Sequence, residues 1–317
     1  MAHEVENMFY VNKELDGVTR FVPWHGLGVG VEEALNSEDA LKIAGLDWEV
    51  IGKPIYAEGG VQIPGYVANT RSSDNSILGI VTDKYKVVQN KEAFAFTDAL
   101  LDMEAKYITA GSLRNGKNTW LLAQLPSHKI LGDEIAQYLC FTNTHDGSGS
   151  VKVCMTPIRV VCNNTLNLAL SNAKRIWTCR HIGSLETKLH EASRTLELSN
   201  KYMEELNTTA ERLANTTISN DELMKIVAEM FPINEDTSYR QVTNMEKAKT
   251  EFMVAYYMPD IQQFRNTAWG VVNAISDFVS HSSPLRNSAT YQERNFERII
   301  NGHPMLDAIV ERCSAKA

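Results

Sequence analysis

Five cations and one aromatic ring gather in a carboxylate-free stretch of an acidic chain. From Gly147 to Leu185 there is no Asp or Glu, although the chain holds 39 acidic residues and a net charge of −8. The same stretch carries Lys152, Arg159, Lys174, Arg175 and Arg180, with His181 beside them and Trp177 among them. A surface that binds an anion must be cleared of like charge; a buried segment lacks acids for a different reason, and the composition fits both. Cations to hold phosphates and an aromatic ring to stack a base make up the usual means of gripping single-stranded nucleic acid. If Lys174 to His181 is a strand, Arg175, Trp177 and Cys179 face one way and Lys174, Ile176, Thr178 and Arg180 the other. The alternative places Trp177 in the core with the cations solvated around it.

A second candidate lies just upstream, where His145 and Asp146 open a loop rich in Gly and Ser. The loop reads first as a turn made by its Asp and Gly residues. It also suits an anion cradle of backbone N–H groups at His145, Gly147, Ser148 and Gly149. Catalysis on His145 and Asp146 would need a nucleophile beside the ring, and no G-x-S-x-G supplies one. The chain has no G-x-x-x-x-G-K-[ST], no H-E-x-x-H and no EF-hand loop, and Gly26, Gly28 and Gly30 have the wrong spacing for a dinucleotide fingerprint. Cys140, Cys154, Cys162, Cys179 and Cys313 form no C-x-x-C pair and sit among apolar residues, so they read as reduced core thiols. No metal and no cofactor is expected.

The elements that would position these residues fall into two halves. Residues 1–184 read as an α+β domain with a mixed or antiparallel sheet. Strand patterns occur at Trp48–Ile51, Val61–Ile63, Tyr66–Ala68, Ile77–Val81, Tyr85–Val88, Tyr107–Ala110, Thr119–Leu125, Tyr138–Thr142 and Val151–Met155. Turn signals lie at Glu58-Gly59-Gly60, Pro64-Gly65 and Asn115-Gly116. Asn90 reads as a helix N-cap, and Asn163 or Asn164 as the cap of a short helix reaching Leu170. Residues 185–317 read as helical. Leu185, Leu189, Ala192, Leu196, Ser199, Met203, Leu206, Ala210 and Leu213 form one seam, predicting a helix over 185–214 about 45 Å long. Its Ser and Ala positions favour packing on its own domain over a coiled coil with a partner. Shorter helices are predicted from Asn220 to before Phe231, from Asp260 through Val279, and around Tyr291–Ile300 and Pro304–Arg312.

At 44% hydrophobic and 22% charged, the chain can bury a core and is not disordered. Its acidity excludes a general nucleic-acid coat, so phosphate binding must be local. No apolar run is long enough to span a bilayer, and Met1–Tyr10 lacks the pattern of a secretory signal; the expected compartment is the cytoplasm.

Thr142–Leu170 (TNTHDGSGSVKVCMTPIRVVCNNTLNLAL) resembles the core signature of the phage/plasmid-like proteins that carry domain of unknown function 932. Pro23–Gly28, Val81–Asn90, Ala110–Leu113 and Thr267–His281 match as well. The resemblance implies a phage or mobile-element protein in a bacterial host cell and assigns no catalytic residues. A β-rich half with a basic stretch followed by helices is also similar to single-strand annealing recombinases. These readings lead to a non-enzymatic single-stranded DNA-binding protein, an annealing protein acting in recombination as a homo-oligomer. Lys152, Arg159, Lys174, Arg175 and Arg180 would contact phosphates and Trp177 would stack. The alternatives are a phage protein that sequesters a host protein, and an enzyme acting on nucleotides or nucleic acid around His145 and Asp146.

Overall fold

The computed structural model describes residues 12–15, 18–21, 29–102, 104–148, 151–159, 164–178, 185–281, 298 and 300–316. Strands β1 (Asn12–Leu15) and β2 (Val18–Phe21) form a hairpin. After β3 (Val29–Gly30) and the short helix α1 (Ser37–Ile43), strands β4 (Val50–Tyr56), β5 (Gln62–Arg71) and β6 (Ile77–Thr82) make a three-stranded antiparallel sheet. Helices α2 (Asn90–Phe94) and α3 (Asp98–Leu101) lead to the main sheet.

That sheet is a meander of β7 (Lys106–Leu113), β8 (Asn118–Ile130), β9 (Asp133–Thr144) and β10 (Lys152–Arg159), paired antiparallel in chain order. Tight turns dictate the order. Arg114, Asn115 and Gly116 all have positive φ, the backbone that a twisted hairpin turn requires and Asn-Gly supplies. β3 pairs with β7 at one edge. Two short strands, β11 (Asn164–Thr165) and β12 (Ile176–Thr178), share the other side of β10.

Alternation along these strands divides the core. Leu121, Ala123, Leu139, Phe141, Val153 and Met155 enter the main cluster, whereas Trp120, Leu122, Cys140 and Cys154 form a second cluster with Ile108 and Leu113. Helix α4 (Leu185–Ala214) covers the first face. Its Ala192, Met203, Leu206, Ala210 and Leu213 are buried, and Ser199 Oγ donates to Gln137 Oε1 on β9 at 3.0 Å. The seam therefore packs on its own chain. Helices α5 (Asn220–Met230), α6 (Tyr239–Tyr256), α7 (Ala268–His281) and α8 (Pro304–Lys316) complete the mainly helical second half.

Several local expectations need correction. Val61–Ile63 and Tyr66–Ala68 are one strand, β5, and Pro64-Gly65 is an irregularity within it, with Gly65 at φ 78°. Tyr85–Val88 has no regular structure. Asn164 starts no helix: it pairs with Arg159 in β11, and Tyr202 OH holds the Leu168 carbonyl at 2.8 Å. Gln89, not Asn90, caps α2, its N–H donating to Glu92. The expected helix from Asp260 is interrupted, with a 3₁₀ turn at Pro259–Phe264 and Asn266 at φ 60° before α7 begins. Helix α6 was not foreseen, although Ser238 and Gln241 form the capping box that marks its start. The Tyr291–Ile300 helix lies almost wholly outside the described residues.

Candidate nucleic-acid interface

β10 is flanked on both sides, by β9 and by β11 and β12. β12 pairs with β10 alone, and what packs on its two faces decides the fate of the basic segment. Trp177 sits opposite Val153, is 7% exposed and belongs to the main core. Ile176 packs against the second cluster. Trp177 and Ile176 alternate as read from the sequence and both meet protein, but Arg175 lies at a bend before β12 and does not share the Trp177 side: it reaches Cys154 of the second cluster.

Arg175 is also interior, at 9% exposure. Its Nη1 donates to Cys154 Sγ at 2.9 Å and to the Met155 carbonyl at 3.1 Å, and its Nη2 donates to the Ile300 carbonyl. A buried guanidinium is tolerable only with such acceptors. Burial raises the Cys154 thiol above its ordinary range, with Arg175 opposing the shift. Arg175 thus ties β10 to the segment before α8. The arrangement expected of Arg175 and Trp177, a phosphate grip beside a stacking ring, is not on the surface.

Lys152 and Lys174 remain exposed. Lys152 pairs in register with Thr178, and Lys174 precedes β12 at its opposite end. Both are exposed, Lys152 at the start of β10 and Lys174 two residues before β12. Arg194 of α4 adds a third cation at this edge, donating to the Thr178 carbonyl at 3.3 Å while paired with the buried Glu191. Arg159 lies at the end of β10, opposite Ile135 and Asn164; Arg180 and His181 lie outside the described residues.

The His145 loop is built inward. His145 is 1% exposed, and its ring meets Trp48 edge-on at 5.4 Å between centroids. Nε2 is 2.9 Å from Asn90 Oδ1, which also accepts from Thr119 Oγ1 at 2.7 Å. The Asn90 amide nitrogen donates to the Leu46 carbonyl. This assigns its oxygen as the acceptor, so the ring carries its proton on Nε2. Among the described residues Nδ1 has no hydrogen-bond partner. Burial lowers the His145 pKa to about 4, with Asp146 opposing the shift. The imidazole is therefore neutral and occupied in a buried network of Asn90, Thr119 and Asn143.

Asp146 closes the loop on itself. Its Oδ1 accepts from Ser148 N at 2.9 Å and from Ser148 Oγ. Burial acts to raise this carboxyl, and the two Ser148 hydrogen bonds outweigh it and hold the group below its usual range. The Ser148 N–H expected to cradle an anion is thus occupied by the loop's own carboxylate. Gly147, at φ 83°, packs towards Val81, where a Cβ would lie 3.0 Å from Cγ1. Gly149 lies outside the described residues. Among the described residues no three His, Cys, Asp or Glu side chains group as metal ligands.

Residues 77–300 match the family described as a domain of unknown function, DUF932. The chain belongs to the DUF932 family. The matched span of this DUF932 protein takes in β6, the whole meander, the His145 loop and α4 to α7, so the family signature coincides with the main core. No curated protein and no solved structure matches the chain. Among the described residues no helix is long and apolar enough to cross a membrane.

Proposed function

We propose that this DUF932 protein is a non-catalytic single-stranded DNA-binding protein of a phage or mobile element, acting in strand annealing as a homo-oligomer. One observation carries the reading: Lys152, at the start of β10, and Lys174, just before its partner strand β12, stand exposed within the carboxylate-free segment. Two exposed cations in such a segment suit the phosphates of an extended single strand. Base pairing between the annealed strands would supply the sequence specificity, so no base-edge contacts are required. The His145 loop supports a structural role over a catalytic one, because its imidazole is buried, neutral and already bonded.

The test is fluorescence anisotropy with a labelled oligonucleotide across a salt series. Each lost phosphate contact on a single strand reduces the log–log salt slope by about 0.7. Lys152→Ala with Lys174→Ala should therefore weaken binding and flatten the slope by about 1.4. Unchanged affinity and slope in a folded double variant would refute the assignment.

A further inference from the structure

The three-stranded sheet β4–β5–β6 packs on the body by one face only. On the inner face, Asn69 donates to the His145 carbonyl at 2.8 Å, and Gly79 lies so close that an added Cβ would come within 2.5 Å of Asp146 Cα. The outer face follows from the register. Ile51, Thr70 and Ile77 form one row, Lys53, Ala68 and Ile80 the next, and Tyr66 and Thr82 a third. Of these, Ile51 is 44% exposed, Tyr66 49%, Ile77 60% and Ile80 61%. Beyond them, the hairpin between β4 and β5 exposes Tyr56, Val61 and Ile63.

Single exposed apolar residues are ordinary on a protein surface; a contiguous sheet face of them is not. The patch proper is Ile51, Tyr66, Ile77 and Ile80 around the small, buried Ala68 and Thr70; in the hairpin Tyr56 pairs with Gln62 and so lies on the opposite side from Ile63. The face is also nearly uncharged. Its one cation, Lys53, donates to Asn75 Oδ1 of the same sheet at 2.7 Å, and the nearby carboxylates Glu58, Asp74 and Asp83 sit in the turns and not in the rows. In rows so poor in cations a nucleic acid would find little counter-charge. A second copy would find apolar surface matching its own, free of the repulsion that a net charge of −8 imposes between two such chains elsewhere.

We infer that the outer face of β4–β5–β6 is the self-association surface, covered by the same face of a second copy. A two-fold contact of this kind sets Ile77 and Ile80 of one protomer against the apolar rows of its partner. The inference supplies the interface for the oligomer in the proposed function and is tested without DNA.

Sedimentation equilibrium of the full chain measures it. The wild type should give a multiple of 35.5 kDa at micromolar concentration. Ile77→Lys with Ile80→Lys should move dissociation to at least about 100-fold higher protein concentration, because each lysine would be buried unpaired at the contact. Circular dichroism should be unchanged, since both positions are exposed. As a second readout, Ile80→Cys in a Cys162→Ser, Cys179→Ser background should cross-link between chains with a short bismaleimide, and the same background without Ile80→Cys should not; Cys140, Cys154 and Cys313 are buried. A wild type of single-chain mass overturns the inference, and so does a folded double variant of unchanged mass. Absence of a cross-linked pair of chains joined at position 80 overturns it equally. Lys152→Ala with Lys174→Ala should keep the wild-type mass, so a failure of DNA binding and a failure of self-association are read separately.

Discussion

Mild acid should destabilise this protein through buried histidines, His145 foremost. His145 is held neutral by burial, with a pKa of about 4 against an ordinary 6.5. A group whose folded pKa lies below its unfolded one binds more protons when the chain unfolds. Its contribution to stability is therefore complete above pH 6.5 and is lost as the pH falls towards 4. The shift corresponds to about 2 kcal/mol lost at pH 5 and about 3 kcal/mol at pH 4. Urea unfolding at pH 7.5 and at pH 5.0, followed by tryptophan fluorescence, measures the loss. The control is His145→Gln, whose amide can still donate to Asn90 Oδ1 but does not titrate. The carboxylates titrate alike in both proteins, so the difference between their losses isolates the ring. Wild type should lose about 2 kcal/mol more than the variant over this interval. Equal losses would refute the assignment of a buried neutral imidazole.

Two further substitutions probe the packing that the same segment creates. Arg175→Met keeps much of the volume but takes the guanidinium donors from the Met155 and Ile300 carbonyls, leaving them the weak Cys154 thiol. It should cost about 3 kcal/mol in urea unfolding and hasten proteolysis ahead of α8; a cost below about 1 kcal/mol would show that the clamp is dispensable. Gly79→Ala would set a Cβ 2.5 Å from Asp146 Cα, a backbone atom that cannot swing aside. It should cost at least about 3 kcal/mol, read as a lower thermal midpoint, and an unchanged midpoint would mean that the loop yields freely.

The class of fold was legible because periodicity reports burial. The α4 seam from Ala192 to Leu213 and the Asn115-Gly116 turn both carry local signals strong enough to survive tertiary packing. The interior position of Arg175 and Trp177 was not legible. A strand with protein on both faces and a strand with a wet face share the same alternation, and only its neighbours distinguish them. Loss of acids from Gly147 to Leu185 had two causes available from the start, and around Arg175 and Trp177 burial is the one that applies. Asn90 misled for a related reason. Asn suits a helix cap, but here its amide is more useful inside, joining Leu46, Thr119 and His145. The outer face of β4–β5–β6 went unnoticed because Ile51, Tyr66, Ile77 and Ile80 look like ordinary core residues until the register is known.

The clamp by which Arg175 holds Ile300 has a bearing on biosynthesis. Arg175 and its nearer acceptors, Cys154 and Met155, are translated well ahead of Ile300, which lies 125 residues further on. A chain cut between α7 and Ile300 would thus take an acceptor from a guanidinium deep in the fold, a lesion at the centre caused by a loss at the periphery.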